Sequence, residues 1–374
     1  MTGISTNAIH ASDEVNPVRD VIPPINVSTT YKYADNPDDL VKWSDMPEES
    51  SIIGNIFYSR ITHPNSERVE KALESIVGGP SVAYSSGLGA FFAALTYFNP
   101  SIVCIGKGYH GCHSIIDIFT RLKGLKVIGL DDDLDQLNAG DLICLETPVN
   151  PDGTVFDIEY FAQKAHKKGA FLLIDSTFAP PPLQDPFKWG ADMVLHSATK
   201  YLGGHSDLLA GVLVTNDDKV KNQLVTDRLA LGTNIANLES YLLLRSLRTF
   251  ELRITRQAEN TEKLVKHLVK NRDSYPKLKK IYHSSLQTEA FVKKQLPNGY
   301  SPVFCIELDN ESSAKEFPSK LRYFHHATSL GGVESLIEWR VLSDSTVSPT
   351  LLRVSVGAEN ADDLIADFDE ALRS

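Results

Sequence analysis

The segment HSATKYLGGHSD (196–207) carries Lys200 between the hydroxyls of Ser197 and Thr199, followed by Gly203 and Gly204. Alone, such a lysine is a solvated surface residue. Between two hydroxyls and a glycine turn, however, an amine is placed to form a Schiff base with an aldehyde. The hydroxyls and open backbone N–H groups beside it can bind a phosphate. Upstream, Asp175 closes the apolar run FLLID (171–175). Ligand sites of open α/β sheets gather at the carboxyl ends of strands, and a carboxylate there keeps a pyridine ring protonated and electron-poor. Alone, Asp175 is equally a turn cap; with Lys200 it describes a site for pyridoxal 5'-phosphate (PLP). A third piece, AYSSGLGAFFAAL (83–95), reads as strand, Ser-Gly turn and helix. Its helix N-terminus offers unpaired N–H groups to an anion, and Gly87 lets backbone approach a phosphate closely. Tyr109, in GKGYHGCH, offers an aromatic face to a flat ring or a packed core tyrosine.

These residues need elements to position them. Helical spacing occupies 67–77, 87–98, 113–122 and 157–168. Between them SVAY (81–84), SIVCI (101–105), KVIGL (126–130), LICLE (142–146), FLLID (171–175), DMVLH (192–196) and GVLVT (211–215) read as strands. Apolar runs separated by helices predict a mostly parallel α/β sheet of about seven strands, buried on both faces. From 236 to 270 there is no Pro or Gly, and Leu238, Tyr241, Leu244, Leu247, Ile254 and Ala258 recur at near-helical spacing. That predicts one long or kinked helix joining two domains. FCIEL (304–308), a helix from about Ser312, LLRVSV (351–356) and a helix near 362–372 make a smaller α+β unit. The first 54 residues lack long periodic runs; VIPPINVSTTYKY is extended around Pro23 and Pro24, and 35–51 is acidic. They read as a surface arm or a frayed terminus. The expected division is an arm (1–54), a large domain (55–235) and a small domain with its linking helix (236–374).

Composition narrows the classes. The 374 residues carry 37 Lys and Arg against 48 Asp and Glu, a formal net charge of −11. That argues against nucleic acid or anionic lipid as partner, since both need positive charge. Four cysteines without a CxxC pair predict neither a disulfide framework nor a structural zinc site. No apolar run approaches the roughly 18 residues of a membrane span, and the first residues lack a secretory apolar core. The expectation is a soluble, cytoplasmic protein.

Together the motifs resemble the cystathionine γ-synthase/γ-lyase-like branch of the Cys/Met-metabolism PLP-dependent enzymes. The likeness runs through AIHAS, PPINVSTTY, YSRITHPN, SSGLGA, ETPVNP, IDSTFAPP, HSATKYLGGHSD, SLGGVESL and LLRVSVGAE. It implies the PLP-dependent aspartate aminotransferase-like fold (fold type I), with PLP as cofactor. Lys200 matches the lysine that carries PLP and moves protons, and Asp175 the carboxylate on the pyridine nitrogen. Ser197, Thr199, Gly87 and Leu88 match the phosphate cradle. Tyr58 and Arg60 match residues that reach the phosphate of a neighbouring subunit, where an arginine makes a bidentate contact. The arm would thus complete a partner's site, implying a homodimeric active unit paired into a homotetramer. Tyr109 matches the ring-stacking tyrosine, also considered a proton acceptor, and Asn150 the asparagine near the PLP hydroxyl. Arg353, helped by Ser329, matches the arginine that takes the substrate α-carboxylate. A lone arginine in an apolar strand is costly unless paired, which by itself hints at an anionic ligand.

The chain departs from the family pattern at several points. His110-Gly111-Cys112-His113 follows the stacking tyrosine where Gly-Gly or Gly-Cys is common. These residues shape a pocket or start a helix; they are not expected to hold a metal. Ser176 stands where asparagine is usual. Thr328 precedes SLGG where enzymes that handle cystathionine often carry glutamate, and WRVLSDSTVSPT replaces the Pro-x-x-Met-Thr-His stretch. SLGGVESL nevertheless sides with γ-type enzymes, since β-lyases of bacteria favour SWGGYESL. The reading is γ-replacement or γ-elimination on homoserine esters or related sulfur amino acids. A cystathionine β-lyase or cysteine-conjugate C–S lyase is the alternative, and a catalytically inactive member the third.

Overall fold

Seven short strands are bonded into one sheet in the computed structural model of the chain, which describes residues 3–16, 18–45 and 56–374. They are β1 (Ser81–Tyr84), β2 (Ile102–Ile105), β3 (Lys126–Ile128), β4 (Leu142–Glu146), β5 (Phe171–Asp175), β6 (Met193–His196) and β7 (Gly211–Thr215). Their spatial order is β1-β7-β6-β5-β4-β2-β3, and only β7 runs against the rest. Side chains alternate between faces along a strand. Ile143 and Leu145 therefore join the core formed with α2 (Pro64–Val77), α5 (Ile158–Lys167), α7 (Asn237–Leu247) and α8 (Phe250–Lys270). Leu142 and Cys144 join the opposite core, with α3 (Gly87–Phe98), α4 (His110–Lys123) and α6 (Asp218–Leu231). The mostly parallel sheet, covered on both faces, is as expected.

The C-terminal part adds a five-stranded sheet, ordered β10-β11-β12-β9-β8. Its strands are β8 (Leu278–Tyr282), β9 (Val303–Leu308), β10 (Phe324–His326), β11 (Ser335–Trp339) and β12 (Leu351–Ser355). Phe304, Ile306, Ile337, Leu352 and Val354 pack with α8 and with the C-terminal helix (Ala361–Arg373). Alternation then puts Cys305, Glu338 and Arg353, which are paired across the strands, on the other face. One face is core and the other carries charge.

Two expected elements change. The linking segment is two helices, α7 and α8, broken at Arg248 and Thr249. Arg253 braces the break: its Nη2 donates at 2.9 Å to the Ser246 carbonyl, which also accepts from the Thr249 N–H at 3.2 Å. The helix expected from His113 starts at His110, with Tyr109 as N-cap. Gly111 permits this start, because a Cβ there would lie 2.7 Å from the Tyr109 ring and 2.9 Å from Leu88. Helix α6 and strands β8, β10 and β11 had no clear sequence signal. Within the arm, α1 (Ile4–His10) docks on its own chain, with Ala8 buried and the Ser5 N–H bonded to Glu251 at 2.9 Å. The extended stretch beyond it leaves Val21, Val27 and Tyr33 exposed. The part of the expected arm from 46 to 54 lies outside the described residues.

Candidate active site

The carboxyl ends of the parallel strands and the charged face of the small sheet meet at a cleft of about 560 Å³. Gly87, Leu88, Tyr109, Asn150, Asp175, Ser197, Thr199, Lys200, Thr328, Ser329 and Arg353, all singled out by sequence, line it. Tyr58 and Arg60 do not. Arg60 instead donates to the Leu229 carbonyl at 3.1 Å, and Tyr58 is 45% exposed.

Lys200 follows β6 in a tight loop. Its N–H donates to the Ser197 carbonyl, and the Gly204 N–H donates to the Lys200 carbonyl at 2.7 Å. Gly204 has φ +69, and a Cβ there would collide with the Arg253 guanidinium. Arg253 donates to the Tyr201 carbonyl at 2.8 Å, so the loop is tied to the start of α8. From the other side comes the SLGG turn: a Cβ on Gly331 would sit 2.8 Å from the Tyr201 nitrogen. Glycines at these two points let backbone meet backbone around the lysine. Ser329, in the same turn, has φ 80. A non-glycine residue in that region costs energy and tends to be found at functional sites. Its hydroxyl lies 2.7 Å from Lys200 Nζ, and its carbonyl accepts from Arg353 Nη2 at 2.8 Å. Burial, with the Arg353 charge behind it, lowers the Lys200 pKa to about 8.

Asp175 and Glu146 end neighbouring strands in register. Thr177 donates to Asp175 Oδ1 from its hydroxyl (2.6 Å) and its N–H (3.0 Å), and accepts from the Ser197 N–H at 2.8 Å. Glu146, the first residue of ETPVNP, carries no sequence signal of its own. Its oxygens accept from the Tyr109 N–H (2.8 Å) and the Asn150 N–H (2.7 Å), fixing two lining residues at once. Burial raises both carboxyl pKa values, and the Asp175 charge raises that of Glu146 further. Among the described residues no cation pairs with either carboxylate.

The phosphate-cradle residues are only partly free. The N–H groups of Gly87 and Leu88 open α3 without a hydrogen bond among the described residues, while Gly89 bonds the Ser86 cap. A Cβ on Gly87 would lie 3.1 Å from the Ser197 side chain. The Thr199 hydroxyl, in contrast, is engaged with the Ala210 backbone at 3.0 and 3.2 Å. Ser176 faces away from the cleft, holding Ala179 and Gln184. Cys112 lines the cleft with its thiol pKa pushed far up by burial.

Arg353 is not lone. Its Nη2 donates to Glu338 at 2.6 Å and its Nη1 to Asn150 Oδ1 at 3.0 Å. The hint from an unpaired buried arginine is therefore replaced by an in-chain ion pair, because β11 sets Glu338 directly opposite Arg353. Glu338 also accepts from Arg340 at 2.8 Å, and Arg340 lines the cleft too.

The sequence model of the Cys/Met metabolism PLP-dependent enzymes matches residues 5–373. The chain belongs to that family. It is 32% identical to a cystathionine β-lyase of Lactococcus lactis subsp. cremoris (strain MG1363), over 100% of this chain and 99% of that one. It is 33% identical to a cystathionine γ-synthase of Escherichia coli (strain K12), over 95% and 93%. Among solved structures, a cystathionine γ synthase from Xanthomonas oryzae pv. oryzae in complex with cystathionine superposes with a TM-score of 0.87 at 29% identity, covering 100% of this chain and 98% of that one. The protein is thus a PLP-dependent enzyme of the carbon–sulfur lyase and synthase kind, with the fold type I architecture. The residues present fit PLP: an open helix N-terminus beside Gly87 and Ser197, an amine at Lys200, and a half-buried carboxylate pair that meets no cation among the described residues.

Proposed function

We propose that the enzyme catalyses γ-replacement or γ-elimination on homoserine esters or related sulfur amino acids, with Lys200, Asp175 and Arg353 in the roles the family assigns. The observation that carries this is the SLGG turn: one residue, Ser329, contacts both Lys200 Nζ and Arg353. The proton-moving amine and the carboxylate-binding guanidinium are thereby set at a fixed separation, which γ- and β-chemistry both need, and the SLGGVESL form of the turn is what favours the γ-reading. PLP, when bound, supplies the electron sink. Ser197 and the N–H groups of Gly87 and Leu88 would hold its phosphate, Asp175 its ring nitrogen, Asn150 its hydroxyl side and Tyr109 its face. Arg353 would orient the α-carboxylate of an amino-acid substrate, with Thr328 beside it. Lys200, held towards its neutral form by burial, would take the Cα proton, hand it on, and as the neutral amine again take a Cβ proton. A γ-substituent then leaves with its bonding electrons, and a thiol adds at Cγ, or water releases ammonia and a 2-oxo acid.

A second reading, β-elimination from cystathionine or a cysteine conjugate, is favoured by the 32% identity to the lactococcal β-lyase. A product screen separates the two. O-acetyl-, O-succinyl- and O-phosphohomoserine, each with cysteine or sulfide, should give γ-products. Pyruvate and homocysteine from cystathionine, with no γ-product, would sink the first reading.

The proposed active unit is a homodimer within a tetramer, with Tyr58 and Arg60 serving the partner's phosphate site. Their absence from their own cleft and the exposed apolar arm support this. Mixed Lys200→Ala and Arg60→Ala subunits should recover activity, since one site per hybrid is intact; no recovery would place each site within one chain. No described helix is long and apolar enough to cross a membrane. Four unpaired, buried cysteines suit the reducing cytoplasm we propose as its compartment.

A further inference from the structure

One cleft residue is left without work: Arg340, where the chain departs from the family pattern. It is 4% exposed, follows β11 directly and lines the same cleft as Arg353 and Lys200. Arginine has five N–H donors. Here only Nη1 is used, by Glu338 at 2.8 Å and by Ser343 Oγ at 3.0 Å. Nε is buried with no partner, and Nη2 makes no hydrogen bond within the described residues. Asp344 Oδ2 stands 3.7 Å from Nη2, an ion pair beyond hydrogen-bond distance, while Asp344 Oδ1 accepts from the Thr346 N–H and hydroxyl. Glu338 meanwhile is divided between Arg340 and Arg353. Two buried guanidiniums thus share the hydrogen bonds of one buried carboxylate, with Asp344 only at the edge of the group. If Arg353 takes the α-carboxylate of an amino acid, Arg340 remains a second cation beyond it, with donors to spare. Buried charge of this kind is costly unless it is paired.

We propose that Arg340 is a specificity-determining residue that binds a second carboxylate, distal to the one held by Arg353. The inference rests on the reading of this cleft as an amino-acid site and narrows its substrate to dicarboxylic pairs. That carboxylate comes either from the acyl ester at Cγ or from the incoming thiol. In both cases Arg340 offers a fork for bidentate contact.

Binding to the PLP-loaded enzyme tests this without turnover. L-2-Aminoadipate and L-norleucine share a carbon skeleton and differ by a distal carboxylate against a methyl. Calorimetric titration should show aminoadipate bound more tightly by about tenfold or more, as expected for a hydrogen-bonded charge. Arg340→Met should abolish that preference, and Arg340→Lys should keep part of it. Equal binding of the two ligands by the wild type, or a preference unchanged in Arg340→Met, overturns the proposal. Should Arg340→Met fail to fold, the wild-type ratio and Arg340→Lys decide.

Kinetics then locate the carboxylate. With sulfide fixed, O-succinylhomoserine is compared with O-acetylhomoserine; with O-acetylhomoserine fixed, cysteine is compared with cysteamine. A loss of selectivity in Arg340→Met on the first pair assigns the carboxylate to the ester, and on the second pair to the thiol. Absence of γ-product from every pair would overturn the γ-reading alone, because the calorimetric ratio stands independently of it.

Discussion

On the large-domain wall of the cleft, Asp175, Ser197 and Lys200 stand at or just past the ends of β5 and β6, and backbone contacts hold them there. Thr177 links Ser197 to Asp175, and Gly87, Gly204 and Gly331 stand where a Cβ would crowd or collide with its neighbours. On the small-domain wall, Arg353, Glu338 and Arg340 are held by one another's charges. The first wall is set by shape, in which a methyl group is an intrusion. The second is set by pairing, in which one substitution obliges a neighbour to find a new partner. Departures from the family pattern fall on both walls, at His110 to His113 and Ser176 on the first and at Thr328 and from Trp339 onward on the second, but none falls on the glycines or on Asp175, Ser197 and Lys200. The first wall admits change only around its close contacts, whereas the second can be re-paired.

The strongest test of the first wall is Lys200→Ala. Turnover should fall by about 10³-fold or more, the range of a general acid–base group, while circular dichroism and melting temperature stay close to wild type. Activity near wild type would break the assignment of the proton-moving role. The matching test of the second wall is Glu338→Gln. It leaves two buried guanidiniums without their shared counter-charge, and breaking such a pair costs about 3–5 kcal/mol. Urea unfolding of the variant should show that loss. A change under about 1 kcal/mol would mean that water already screens the pair, and the contrast between walls would fail.

A third effect separates Lys200 from an ordinary surface lysine. Burial disfavours its charged form, lowering the pKa to about 8. The neutral amine captures an aldehyde, so the rate at which apoenzyme takes up added PLP should rise with pH and level off near pH 8. An unperturbed lysine would keep rising towards about 10.4. Stopped-flow absorbance across pH 6 to 10 reads the difference. A rate still climbing tenfold per pH unit above pH 9 would show that the amine is solvated.

The two walls were also unequally legible in the sequence. Short apolar runs ending in Asp175 or His196 announce strands whose ends are a site, and glycines beside Lys200 announce a tight loop. Those signals are local, and the seven-stranded sheet followed from them. The second wall depends on partners far apart in sequence. Nothing in SLIEW marks a strand, because all of its side chains are buried and none alternates with polar neighbours. Hence the register that sets Glu338 against Arg353 was invisible, and Arg353 looked unpaired. Glu146 was missed for the same reason. Its two partners, Tyr109 and Asn150, lie on separate loops that only the sheet order brings together.

Ser329 joins the walls, and its substitution should have the smallest of these effects. Ser329→Ala removes the hydroxyl 2.7 Å from Lys200 Nζ but keeps the carbonyl that accepts from Arg353. A hydrogen bond to a charged group is worth about 1.5–3 kcal/mol, and here it acts on an amine that must be neutral to work. Only part of that energy should reach the barrier, so kcat should fall about tenfold with KM little changed. Ser329→Gly removes the same hydroxyl and relieves the cost of a φ of 80. The two variants should therefore share a kcat, while the glycine form is the more stable by about 1 kcal/mol. If the glycine variant alone lost substrate affinity, the turn would be aligning Arg353 through its rigidity, and the second wall would owe more to backbone shape than its charges suggest.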